Sequence, residues 1–120
     1  MTPRAPALLL ALALSLAGCE GPREAVTPIR DIVAAPARFE GKEVRIRGRV
    51  TGSAEIRMRG GASHRSYSVR DATGEMPVVT AGPFPPQGAE VTVRGTVELP
   101  PPTGTLAVGP RLRESGRGGR

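Results

Sequence analysis

Two ten-residue stretches of this chain follow one pattern, and that pattern demands a coiled sheet. Gly41-Lys-Glu-Val-Arg-Ile-Arg-Gly-Arg-Val50 matches Gly88-Ala-Glu-Val-Thr-Val-Arg-Gly-Thr-Val97 at Gly, Glu, Val, an aliphatic residue, Arg, Gly and Val. Alternation in the first stretch puts Val44, Ile46, Gly48 and Val50 on one face and Arg45, Arg47 and Arg49 on the other. Val91, Val93, Gly95 and Val97 form the apolar face of the second. A glycine in mid-strand weakens a sheet unless it marks a bulge or a sharp coil. Both stretches carry one, at Gly48 and Gly95, and coiling of this kind is what closes a small barrel.

The rest of the chain fits a small β domain. With 13 Pro and 16 Gly, turns are favoured over long helices. Thr27-Pro28 reads as a helix start, with Thr as cap and Pro in the first helical position. Ile29, Ile32 and Val33 follow at helical spacing, and Pro36 ends the pattern. Phe39 is expected behind this helix, with Gly41 turning the chain. Ala54 to Arg59 continues the first strand past a bend at Gly52. Ser66 to Arg70 is a strand with Tyr67 and Val69 inward. Asp71-Ala72-Thr73-Gly74 is a hairpin turn, because Asp bonds its own backbone and Gly supplies positive φ. The returning strand carries Met76 and Val78 inward, and Pro77 indicates a free edge there. A proline loop from Gly82 to Gly88 precedes the second matched strand. A last strand is expected near Leu106 to Leu112.

Three segments together resemble a bacterial OB-fold domain of the tRNA-anticodon-binding type. They are Gly41 to Val50, the Tyr67 to Gly74 hairpin and Gly88 to Val97. The resemblance covers Ile29 to Leu112 and implies an all-β fold: a five-stranded barrel with a short N-terminal helix. The helix such domains carry between strands three and four is replaced here by the Gly82 to Gly88 loop.

Ahead of the domain stands a different kind of segment. Arg4 lies in a short polar start, Ala7 to Leu16 is nearly all apolar, and Leu16-Ala17-Gly18-Cys19 follows. Positive end, apolar middle and small residues before a cut make the layout of a secretory signal peptide. The run falls short of the roughly 20 apolar residues of a spanning helix. Its last four residues resemble the lipobox of bacterial lipoproteins. That resemblance implies cleavage before Cys19, an acyl chain such as palmitate on its thiol, and acylation of the new amino terminus. The expected organisation is a signal peptide at 1–18, a tether at 19–26, the OB-like domain at 27–113 and a disordered Gly/Arg tail at 114–120. Glu20 stands where an aspartate retention signal would, so the outer membrane, facing the periplasm, is the expected address in a two-membrane host. Cys19 is the only cysteine, so no intrachain disulfide can form.

The chain carries 17 basic against 11 acidic residues, a formal charge of +6, and every basic residue except Lys42 is Arg. OB folds bind oligonucleotides or oligosaccharides on an open face, and an Arg row can hold phosphate or carboxylate through paired bonds. Arg45, Arg47 and Arg49, with Arg57 and Arg70 nearby, are therefore the candidate ligand-binding residues. Against them stand Glu43, Glu55 and Glu90, which would make the row a solvated, partly neutralised face. The stacking aromatics of single-strand binders are lacking as well, since Tyr67 points inward. His64, the only histidine, reads as a loop residue rather than a haem or metal ligand, because zinc needs three or four converging ligands. Ser63, Ser66 and Ser68 have no base other than His64, so no catalytic residue, metal or cofactor is expected. The sequence thus favours a non-catalytic, lipid-anchored binding or scaffolding module of the cell envelope. Its partners would be the membrane through Cys19 and an envelope protein. The alternative is a binder of nucleic acid or another anionic polymer through the Arg face.

The lipobox gives a direct test. Wild-type protein extracted from membranes should carry acyl mass on a chain beginning at Cys19. Cys19→Ala should be unprocessed or released, and a wild-type mature mass without lipid would refute the anchor.

Overall fold

The computed structural model describes residues 25–57, 59–100 and 109–119. The expected leader, Cys19 and the first part of the expected Leu106 to Leu112 strand lie outside them. The elements are α1 (Ile29–Ala34), α2 (Pro36–Phe39), β1 (Glu43–Arg57), β2 (Ser63–Arg70), β3 (Glu75–Val79), β4 (Glu90–Glu98) and β5 (Arg111–Gly119). The five strands close into a barrel in the order β1-β2-β3-β5-β4. All neighbours are antiparallel except β3 and β5, which run parallel through Val78↔Leu112 and Val79↔Arg113.

The two matched stretches are neighbours. β1 and β4 pair antiparallel with Ile46 opposite Val93, and a local two-fold axis through that pair exchanges one copy of the motif for the other. Hydrogen bonds obey it. The Gly41 N–H donates to the Val97 carbonyl and the Gly88 N–H to that of Val50, both at 2.8 Å. The Val97 N–H reaches the Lys42 carbonyl at 3.0 Å, and the Val50 N–H reaches that of Ala89 at 2.9 Å. Gly41 and Gly88 have φ of 79° and 90°, so both turns need glycine.

The mid-strand glycines are the points of closest approach in the barrel wall. A Cβ on Gly48 would overlap the Arg70 carbonyl group and lie 2.9 Å from Val69 Cγ1. A Cβ on Gly95 would overlap the Arg113 carbonyl group and lie 2.9 Å from Leu112 Cγ. Each strand thus coils against its outer neighbour where its own side chain is missing. Bulges sharpen the coil between Val50 and Gly52 on β1 and beside Arg94/Gly95 where β4 meets β5.

Inside, Ile46, Val50, Tyr67, Val69, Met76, Val78, Val91, Val93, Val97 and Leu112 form one core with Ile29 and Ile32. Val44, expected inside, is only half-buried because it lies at the rim, packed against that core together with Phe39 and Phe84. Pro77 pairs with Ser68 on β2, while β5 reaches β3 only at Val78 and Val79, so β3 has no strand on its other side there.

The helix start differs from its expectation. Pro28 is the cap position and no side chain of its own segment caps the helix. The β2–β3 turn supplies the cap instead: Asp71 Oδ2 accepts the Ile29 N–H at 3.0 Å and Thr73 Oγ1 the Arg30 N–H at 2.9 Å. Asp71 Oδ1 also accepts the N–H groups of Thr73 and Gly74 at 2.7 and 2.9 Å. Burial alone would raise the pKa of this carboxyl, but the Thr73 hydroxyl and the N–H groups of Ile29, Thr73 and Gly74 outweigh it and hold it below the usual range. The stability it adds is present above its unfolded pKa and is lost as pH falls through the lowered value. Pro36 ends α1 as expected, then opens the single turn of α2.

The largest correction concerns the C-terminus. The last strand lies at Arg111–Gly119 and pairs with β4 as far as Val91↔Gly119. Residues 114–119, expected as a disordered tail, are thus the greater part of a barrel strand. Their polarity misled because the pattern is inverted: Glu114 and Arg117 turn inward and neutralise each other, while Gly116 and Gly118 take outward positions opposite Arg94 and Thr92.

If the glycine crossings close the barrel, Gly48→Ala and Gly95→Ala should each cost about 1–3 kcal/mol through overpacking. At ~4–8 °C per kcal/mol for a domain of this size, thermal melts resolve this easily. Gly52→Ala, with nothing within 4 Å of its added methyl, should melt close to wild type.

Candidate anion-binding face

Five residues form the predicted ligand face, and the barrel brings four of them together. Arg45, Arg47 and Arg49 project outward along β1, and Arg70, at the end of β2, stands directly opposite Arg49. Arg47, Arg49 and Arg70 line one open groove of about 430 Å³ with Thr51, Ala72 and Glu90. Arg57 does not join them. The bulge at Thr51 shifts the register by one residue, so Ser53, Glu55 and Arg57 pair with Tyr67, Arg65 and Ser63 on the continuation of the inward face. A one-residue shift exchanges the two faces of a strand.

The β1–β4 axis adds a residue that the alternation pattern alone did not single out. Arg94 lies directly across from Arg45, and Arg47 across from Thr92. Ion pairs repeat the symmetry: Arg94 Nε reaches Glu43 at 3.2 Å, and Arg47 Nε reaches Glu90 at 3.5 Å. Arg94 was legible in principle, since it holds in the second motif the place of Arg47 in the first. Of the three carboxylates expected to neutralise the row, only Glu90 pairs with the row in this way. Glu43 serves Arg94, and Glu55 serves Arg65 at 3.1 Å. Arg49 donates to the Gly88 carbonyl at 3.0 Å, and Arg70 meets Glu75 at 3.5 Å. Apart from the half-buried Glu55–Arg65, these pairs are well exposed, where an ion pair contributes little to stability.

Behind this face lies a half-buried polar cluster. Tyr67 donates its hydroxyl to Glu114 at 3.2 Å, and Arg117 Nη1 donates to the Tyr67 oxygen at 3.3 Å. Arg117 also bonds the Pro83 carbonyl at 3.0 Å, tying β5 to the proline loop. In the same loop Phe84 lies 4.3 Å beneath the Arg65 guanidinium. Together these groups occupy the end of the barrel where the resemblance leads one to expect a helix.

His64 faces outward on β2 and lines a separate hollow of about 210 Å³ with Ser66, Pro77, Val79, Pro100 and Pro110. Among the described residues no three His, Cys, Asp or Glu side chains converge as a metal site. Among them, too, no helix is long and apolar enough to cross a membrane.

No family model and no curated protein matches the chain. Solved structures do. One is asparaginyl-tRNA synthetase from Pyrococcus horikoshii complexed with asparaginyl-adenylate, 18% identical, with a TM-score of 0.58 over 80% of this chain and 22% of that one. Another is aspartyl tRNA synthetase from Entamoeba histolytica, 13% identical, with a TM-score of 0.56 over 95% of this chain and 28% of that one. The chain therefore spans about a quarter of those proteins. At such identity the likeness shows the fold alone: the domain is an OB-like barrel, as the resemblance implied.

Tyr67 is the only tyrosine, so its titration can be read without ambiguity. Burial pushes its hydroxyl up to about 12; the Arg117 hydrogen bond opposes this and the Glu114 charge adds to it. Tyrosinate absorbance should show a midpoint near that value in the folded protein. A raised folded pKa means that this contribution to stability is intact below the unfolded value of 10.0 and is lost between there and about 12. A midpoint near 10.0 would show that the cluster does not form.

Proposed function

We propose that this chain is a non-catalytic OB-fold binding module whose ligand is an anionic polymer, with nucleic acid the leading instance, held at a membrane through Cys19. One observation carries the ligand. Arg45 faces Arg94 and Arg49 faces Arg70 across neighbouring strands, on one continuous outward surface. Like charges directly opposite one another destabilise a sheet, and a polyanion laid along β1 turns that cost into attraction. Two of the structural neighbours are tRNA synthetases, which favours a nucleic acid among anionic polymers. The missing aromatic platform favours contact with the phosphate chain over contact with bases. This reading takes up the alternative function from the sequence and keeps the envelope tether of the first. The tether stands on Leu16-Ala17-Gly18-Cys19 and on nothing in the barrel.

Anisotropy of a labelled single-stranded oligonucleotide tests the polymer. Binding should fall steeply with salt. Arg45→Gln/Arg47→Gln/Arg49→Gln should flatten the log–log slope by about 2, at roughly 0.7 for each phosphate that is no longer neutralised. Wild-type binding that ignores salt, or a triple variant that binds like wild type, would refute it.

A further inference from the structure

Past its bulge, β1 outruns one of its two neighbours. It pairs with β4 only from Glu43 to Arg49, while its pairing with β2 runs on to Arg57. From Ser53 to Arg57 the strand therefore has β2 on one side and, among the described residues, no strand on the other. All five residues are exposed. Ile56, at 56% exposure, is the most exposed large apolar side chain among the described residues. Free edges template pairing with another chain, and proteins blunt them with proline or lysine. Ser53–Arg57 contains neither. The arm is also held in place. Glu55 pairs with Arg65 at 3.1 Å, and Arg65 in turn bonds the Gly82 carbonyl at 3.2 Å and covers Phe84.

We propose that this edge pairs antiparallel with the same edge of a second copy of the chain, with Ile56 on the two-fold axis. The order of charges selects that occupant. Glu55-Ile56-Arg57 is self-complementary when reversed: about an axis at Ile56, Glu55 of each copy stands opposite Arg57 of the other. Opposite charges placed directly across a strand pair attract, and like charges repel. An axis at Glu55 or at Arg57 would set like charges opposite each other. An axis at Ala54 would run Ile56 and Arg57 onto Gly52 and Thr51, where the bulge breaks the register. A shift of one residue in the pairing would turn the outward face of one copy toward the inward face of the other. Only the axis at Ile56 joins the charges, and it brings the two exposed isoleucines together on the outward face. The bond from Glu55 to Arg65 does not forbid the second contact, since a carboxylate has acceptor sites for both.

This dimer is independent of the anionic-polymer reading. It is also weak: the contact spans five residues a side, against roughly 20–30 in a stable complex. It therefore forms where copies are concentrated, and it carries the arginine row of each copy into one assembly.

Disulfide trapping of the full chain tests it. The background is Cys19→Ala/Ile56→Cys, in which the only thiol lies on the proposed axis. Under mild oxidation it should form a covalent dimer several-fold faster than Cys19→Ala/Val33→Cys, whose thiol is exposed on α1 instead. Arg57→Glu in the axis background leaves the Glu55–Arg65 pair intact. It should slow trapping about tenfold, because two attractive pairs become two repulsive ones. Glu55→Arg should slow it as well. An equal mixture of the two folded variants should restore the rate, because an edge bearing carboxylates then meets one bearing guanidiniums. Should Glu55→Arg disturb the arm through Arg65, the Arg57→Glu result decides alone. Equal trapping at positions 56 and 33 would overturn the dimer, since it would mean unspecific association. So would Arg57→Glu that traps like its background, or a mixture of folded variants that stays slow. The same oxidation in cells should give a product of twice the chain mass. A position-56 adduct of any other mass would make a foreign strand the occupant and overturn the second copy.

Discussion

Closure of this barrel depends on two places where one strand's carbonyl group occupies the space of another strand's missing side chain. At Gly48 the Arg70 carbonyl fills that space, and at Gly95 the Arg113 carbonyl does. Five strands can form a ring only if they coil steeply, and a backbone that meets no Cβ can turn more sharply than one that does. The two crossings are related by the axis between β1 and β4. They draw in β2 on one side and β5 on the other, the two strands that flank β3. With these in place Tyr67, Val69 and Leu112 face the same interior as Ile46 and Val93, although the chain has very few large aromatics to fill a looser one.

The same axis organises the charge. Two copies of a Glu-x-x-x-Arg spacing, laid antiparallel, give reciprocal ion pairs, each glutamate reaching the arginine of the other copy. A symmetric surface would be self-neutralising. The departures from symmetry, Arg45 for Thr92 and Arg49 for Thr96, put additional arginines on β1 alone. Glycines on the outward side of β5 then leave one flank of this surface bare. A single bulge fixes where it stops, because beyond Thr51 the odd-numbered residues of β1 no longer point the same way.

Much of the fold was legible because it is written in alternation. The apolar faces of β1 and β4 and the inward Tyr67 and Val69 follow from period two, and the Asp71 turn follows from its carboxylate bonding its own backbone, although Gly74 does not take the positive φ expected of it. What escaped depended on partners distant in the chain. No local pattern says that Asp71 caps a helix some forty residues upstream, or that a bulge turns Arg57 away from Arg49. The end of the chain was misread for a related reason: Glu114 and Arg117 look solvated until the barrel brings Tyr67 and Pro83 to them. The arginine row itself was visible, whereas Arg94 emerged only when its strand was placed beside β1.

The long-range cap on α1 has a mechanical consequence. A pull arriving from the N-terminal side first meets Thr27, bonded to β1, then Ile29 and Arg30, bonded to the β2–β3 turn, with Ile29 and Ile32 seated in the core. The load is shared among bonds on separate strands instead of opening them one after another like a zipper. The leading segment thus works as a strain-relief fitting: a load on the chain ahead of Thr27 meets the short helix and its bonds to two strands before it reaches the arginine-bearing surface.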